Sequence, residues 1–185
     1  MSDWAAKRFW SDVTVEQRGE DFVILLDQRL VKTPAKATLA VPSQAMAEAI
    51  AAEWEAQGEK IDPRKMPSTR SANAALDKVT PQRAEVAQLI AAYGENDLLC
   101  YRAHQPPDLA QRQREGWDPL LDWARLRFSA RMIVAHGLNH VDQSPDALAA
   151  LREPLQDYDA FTLVGLHVIA SITGSLILAL AVAEG

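Results

Sequence analysis

The stretch FTLVGLHVIASITGSLILALAVA at positions 161–183 constrains this chain more than any other, because no charged residue lies between Asp159 and Glu184. At about 1.5 Å rise per residue, one unbroken helix of this length would cross a small domain or a bilayer. His167, Ser171, Gly174 and Ser175 follow the i, i+4, i+7, i+8 rule and gather on one helical face. Leu166, Ile169, Ile172, Leu176, Leu180 and Val182 occupy much of the rest. A segment apolar nearly all round belongs in a core or in a membrane. A bilayer span would carry flanking basic residues or an aromatic belt. Here the flanks are Asp157-Tyr158-Asp159 and Glu184. The sequence therefore predicts a long buried core helix and no stable membrane insertion.

A chain of 185 residues holds one domain or two small ones. Its formal net charge is −6, and both halves, divided at position 105, are acidic, so no basic footprint for nucleic acid is present. The one cysteine, Cys100, cannot close an internal disulfide, which suits a reducing compartment. The start MSDWAAKRFW has no apolar signal core and carries an early acid. The expected location is the cytoplasm.

The first forty residues read as β. Val13-Thr14-Val15 alternates, and Phe22-Val23-Ile24-Leu25-Leu26 is too uniformly apolar for a strand with one wet face. Asp27-Gln28 turns the chain into a strand over 29–33, stopped by Pro34, and 37–41 completes a meander. Strands this short need a helical partner. Ser43 caps one, with Met46, Ile50 and Trp54 on its stripe and Gly58 beyond its end. The two prolines in Ile61-Asp62-Pro63-Arg64-Lys65-Met66-Pro67 mark a linker, and the domain boundary is drawn there. The result is an α+β chain, with a small N-terminal β-rich domain and its packing helix over 1–66 and a mainly helical domain over 67–185.

In the second part, 68–78 reads as a short helix. Thr80-Pro81 opens another, with Val86, Leu89, Ile90 and Tyr93 as its stripe. A helical piece over 97–103 ends before Pro106-Pro107. Trp117-Asp118-Pro119 reads as a helix start, with Asp118 capping and Leu120, Trp123 and Ala124 facing inward. Met132-Ile133-Val134-Ala135 is compatible with helix or strand. Ser144-Pro145 opens a helix carrying Leu148, Leu151 and Leu155, and Asp159 caps the apolar one.

Catalytic signatures are missing: no glycine-rich phosphate loop, no GxSxG elbow, no HExxH and no CxxC. His136 and His140, at i, i+4, would share a helical face, but Gly137 weakens that helix and no clear third ligand follows. The plain reading is a loop with two histidines. Cys100, between Leu99 and Tyr101, reads as a buried, inert thiol, and His167 as a hydrogen-bonded core histidine. Arg125, Arg127 and Arg131 bring positive charge near Trp123 and Phe128, either to grip an acidic partner or as a solvated face. Of five tryptophans, at least one is expected at the surface. No catalytic residue, cofactor or metal is expected. Two rival readings are a small histidine-dependent enzyme and a membrane-anchored adaptor.

Several phrases together resemble one family: Lys7-Arg8-Phe9-Trp10, the run Leu26-Asp27-Gln28-Arg29-Leu30-Val31-Lys32-Thr33-Pro34, and Ala51-Ala52-Glu53-Trp54 with Gln57. Ile61-Asp62-Pro63 with Met66-Pro67-Ser68-Thr69-Arg70 belongs to the set, as do Asp97-Leu98-Leu99-Cys100-Tyr101-Arg102-Ala103 and Trp117-Asp118-Pro119-Leu120-Leu121-Asp122-Trp123. The chain resembles the assembly chaperones of F-type ATP synthase that handle the α subunit of its catalytic head, known from mitochondria and α-proteobacteria. The resemblance implies a β-rich domain joined to a helical one, no catalysis and no nucleotide. It implies a partner, the unassembled ATP synthase α subunit, whose β-facing surface the chaperone shields. Trp10, Asp97, Arg102, Trp117, Asp118 and Trp123 are the partner-binding candidates. Family members usually continue past the apolar helix with an acidic, tryptophan-containing tail, whereas this sequence ends at Glu184-Gly185.

Overall fold

The computed structural model describes residues 7–137 and 139–185. The start read above for a leader, with Trp4, and Leu138 of the histidine stretch lie outside the described residues. The chain forms two compact units, Met1–Pro81 and Gln82–Gly185, and its architecture is α+β.

The first unit is built on an apolar strand. Strand β1 (Val13–Arg18) pairs antiparallel with β2 (Asp21–Leu26) along its full length. Val23, Ile24, Leu25 and Leu26 are all buried, so both faces of β2 are covered, as its uniform composition requires. Asp27 and Gln28 take φ of 46° and 69°, the left-handed pair of a two-residue hairpin, and lead into β3 (Arg29–Leu30). The expected meander is corrected at the next step. Residues 37–39 pair back on 31–33 through Lys32 and Thr38. Strand β4 (Ala40–Val41) then returns to β2, opposite Val23 and Phe22. Thus β2 is central, with β1 on one edge and β3 and β4 sharing the other.

Helix α1 (Gln44–Glu55) begins where Ser43 Oγ accepts from the Met46 N–H at 3.3 Å, and it buries Ala47 and Ile50. The Arg8 guanidinium donates to the carbonyls of Glu55 at 2.9 Å and Gln57 at 2.6 Å, closing the helix's far end. Helix α2 (Pro67–Ala74) has no cap of its own. Glu53 of α1 supplies it, accepting from Ser68 N at 2.6 Å, Thr69 N at 2.8 Å and Thr69 Oγ1 at 2.7 Å. That tie keeps α2 in the first unit, so the units divide at 81/82 while the sequence boundary falls at 66/67. Thr80 does not cap the next helix; its hydroxyl donates backwards to the Ala75 carbonyl at 2.9 Å.

The second unit holds α3 (Arg83–Ala91), α4 (Pro107–Phe128), α5 (Pro145–Arg152), α6 (Ala160–Thr173) and α7 (Leu176–Glu184). A short parallel pair, β5 (Tyr101–Arg102) with β6 (Ala135–His136), joins them. Its core contains Ile90, Leu99, Leu151, Leu155, Leu163, Leu166, Leu176, Ile177 and Leu180. Three expectations are corrected here. Residues 97–103 are not helical throughout: a 3₁₀ turn over Leu98–Cys100 passes into β5. Trp117-Asp118-Pro119 is not a helix start but the interior of α4, with Pro119 inside the helix. The single apolar helix over 161–183 is two helices. Gly174 takes φ 69°, and Ser175 caps α7 by accepting from Leu178 N at 3.0 Å. Among the described residues no helix is long and apolar enough to cross a membrane.

The break also redistributes exposure. Ile172 is 79% exposed and Val168 44%, on α6, and Leu89 is 64% exposed on α3, which packs against α6. His167 is exposed too, with its ring 6.5 Å from that of Tyr93, so it is not the core histidine expected. Leu89 leaves the α3 stripe, whose buried members are Ala87 and Ile90.

Candidate functional site

The six candidate residues divide by burial. In the first unit, Trp10 is buried, edge-on to Trp54 at 5.2 Å between ring centroids, with the Arg8 guanidinium 5.4 Å from its ring. It anchors the segment that brings Arg8 to the end of α1. The others belong to the second unit. Asp97 is fully buried, and its carboxylate accepts from Leu99 N and Ile177 N, both at 3.0 Å. One side chain thus starts the Leu98–Cys100 turn and satisfies an orphan N–H in the first turn of α7. Burial pushes its pKa upward against the pull of those hydrogen bonds and that of Ser175. Trp10 and Asp97 are buried and build the frame.

Arg102, Trp117 and Asp118 come together. Arg102 is 2% exposed. Its Nη1 donates to the Leu99 carbonyl, and its Nη2 donates to Asp118 Oδ1 at 2.6 Å. Its guanidinium carbon lies 5.1 Å from the Trp117 ring centroid. The β5–β6 pair holds the Arg102 backbone, and Gly137 N donates to the Arg102 carbonyl at 2.8 Å. Ala103 N donates to Gln113 of α4 at 2.7 Å. Arg102 Nε is buried and has no hydrogen-bond partner among the described residues. Trp123 lies further along α4, half-buried and edge-on to Phe128 at 5.3 Å.

Arg102 and Asp118 border an open groove of about 620 Å³. Its lining is Arg102, Arg114, Asp118, Leu121, Asp122 and Arg125, with Arg131, Met132, Val134 and His136 of the segment after α4. That segment is braced by Gln143, whose amide exchanges two hydrogen bonds with the Ile133 peptide at 2.8 and 2.9 Å. Sequence reading singled out Arg125 and Arg131 but missed Arg114. Its signal was the helical series 114, 118, 121, 122, 125, hidden when 117–119 is taken as a helix start.

No chemistry gathers around the other reactive groups. Cys100 is buried, and burial with the nearby Asp97 charge pushes its thiol up to about 12, so it is not a nucleophile. His140 is bound between Asn96 at 2.8 Å and Asp142 at 3.0 Å, while His136 stacks on His104 at 6.1 Å. The two do not share a helix. Among the described residues no three His, Cys, Asp or Glu side chains are grouped to hold a metal ion. None of the four described tryptophans is fully exposed; Trp54, Trp117 and Trp123 are half-buried.

Residues 7–125 match the family described as ATP12 chaperone protein. The chain belongs to that family. Three solved structures agree. A mutant of P. denitrificans Atp12p gives a TM-score of 0.92 at 46% identity, covering 100% of this chain and 79% of its own. Atp12 from Paracoccus denitrificans gives 0.91 at 46% identity, covering 99% and 78%. The Atu1473 protein of Agrobacterium tumefaciens gives 0.88 at 45% identity, covering 97% and 68%. As an ATP12 family member this chain is an ATP synthase assembly chaperone and not an enzyme. The family match includes Arg102, Arg114, Asp118 and Arg125, and ends before Arg131.

Proposed function

We propose that this chaperone binds the unassembled α subunit of ATP synthase and shields its subunit interface until the catalytic head assembles. The observation that supports this reading best is the exposed apolar set Leu89, Val168 and Ile172 on two packed helices. A surface that leaves such side chains in water is equipped to cover another apolar surface. Obligate subunit interfaces are surfaces of that kind, apolar and prone to aggregate when bare. Trp117, Asp118 and Trp123 would meet the client along α4, with Arg102 orienting the first two and Asp97 and Trp10 holding the frame. The expected setting is the bacterial cytoplasm.

The test is capture by the immobilised chain of purified free α subunit against intact catalytic head. Free subunit should be retained and assembled head lost on washing. Equal capture of both would overturn the shielding reading.

A further inference from the structure

The groove beside α4 has a charge imbalance that the fold does not use. Of its four arginines, Arg102 is paired with Asp118 at 2.6 Å and Arg125 with Asp122 at 3.3 Å. Among the described residues, Arg114 donates only to the neutral Gln111 at 2.8 Å, and Arg131 has no ion pair or hydrogen bond. Both are exposed and both line the groove, Arg114 from α4 and Arg131 from the segment that follows it. The apolar part of the lining is Leu121, Met132 and Val134. Arg102 adds a buried guanidinium whose Nε lacks an acceptor among the described residues. A chain with net charge −6 thus keeps one concave surface with surplus positive charge over an apolar lining.

We infer that this groove docks an acidic segment of a protein partner, an extended stretch in which carboxylates alternate with apolar side chains. Its carboxylates meet Arg114 and Arg131, and its apolar side chains lie on Leu121, Met132 and Val134. Two guanidiniums free to form charge-assisted bonds favour carboxylates over neutral amides. The apolar lining favours a peptide over a small anion, which would leave it in water. That the partner is a protein rests on the chaperone reading; the preference for acid over amide rests on the groove alone.

The probe is a fluorescein-labelled peptide of three Glu-Leu repeats, read by anisotropy against its Gln-Leu counterpart. The acidic peptide should bind, weaken at least about tenfold when salt screens the contact, and outbind the Gln-Leu peptide. Arg114→Glu combined with Arg131→Glu should abolish binding. Arg64→Gln, in the other unit, should leave it intact. Equal binding of both peptides, displacement by inorganic phosphate at concentrations equal to the peptide's, or full binding by the double variant would each overturn the proposal. Capture of free α subunit separates the two readings. A double variant that captures the subunit normally, with no peptide bound by the wild type, sinks the groove and spares the chaperone reading. Peptide binding without subunit capture does the reverse.

Discussion

Glu53 shows how much one side chain holds in place. Burial alone would raise its pKa, but the hydrogen bonds from Ser68 and Thr69 together outweigh it and hold the carboxyl below the ordinary glutamate range. A carboxylate lowered in the folded state stabilises the fold above its unfolded pKa. That stability is lost as pH falls through the ordinary glutamate range and on through the lowered folded value. Urea midpoints measured down an acid series should therefore fall in the wild type, and Glu53→Gln should flatten that slope. Glu53→Ala, which uncaps α2, should cost about 0.5–2 kcal/mol at neutral pH. Asp97 is a second such residue. Asp97→Ala leaves the Leu99 and Ile177 N–H groups unpaired in the interior, at about 1–3 kcal/mol for each buried orphan, and a wild-type urea midpoint would refute the assigned role. At this scale the sequence singled out the important residues but not their orientation. Trp10, Asp97 and Arg102 stand out as motif members, yet whether such a residue faces a partner or its own chain depends on partners far along the sequence, such as Ile177 for Asp97.

The α6–α7 break is the feature to test among the elements. At φ 69° Gly174 needs a residue that tolerates the left-handed region, while an added Cβ would meet only Leu98 Cβ at 3.8 Å. Gly174→Ala should thus lower stability through backbone strain rather than crowding, by about 1–2 kcal/mol, and Gly174→Asn by less. Leu176→Ala removes a fully buried side chain and should cost about 2–5 kcal/mol. If Ala and Asn at 174 were equally harmless in urea, the backbone account would fail. Gly174-Ser175 is ambiguous in sequence. It reads as part of a small-residue seam or as a C-terminal glycine followed by an N-cap serine, and only packing decides. Trp117-Asp118-Pro119 misleads in the same manner. Aspartate before proline signals a helix start, but here the Asp118 carboxylate is taken by Arg102, and the proline is accommodated on the exposed side of α4. The long strands, α1 and α5 were legible: β2 from its unbroken apolar run, α1 from its apolar period with the Ser43 cap, and α5 from Pro145 at its first position ahead of a leucine stripe. The two-residue β5 and β6 are too short to carry a period at all.

For the whole molecule, the family and the α+β layout were readable from motifs, while the groove required α4 to be continuous. Magnesium-ATP or zinc should leave the melting temperature unchanged, since a ligand at a hundredfold excess over its Kd would stabilise by about 2.7 kcal/mol; a reproducible rise of that size would reveal a site. The central placement of β2 has a further consequence, for the behaviour of many copies together. Phe22-Val23-Ile24-Leu25-Leu26 is an uncharged, strongly β-forming segment of the kind that stacks into fibrils when its edges are bare. With β1 on one edge and β3 and β4 on the other, both ladders are occupied within one chain. The return of β4 to the Phe22 end completes that seal. A proline at Ala40, which removes the N–H that donates to the Thr38 carbonyl at 3.0 Å and disfavours the turn that returns β4 to β2, should shorten the lag before thioflavin-positive aggregates form on gentle heating. This ATP synthase assembly chaperone carries its own adhesive strand, locked between neighbours.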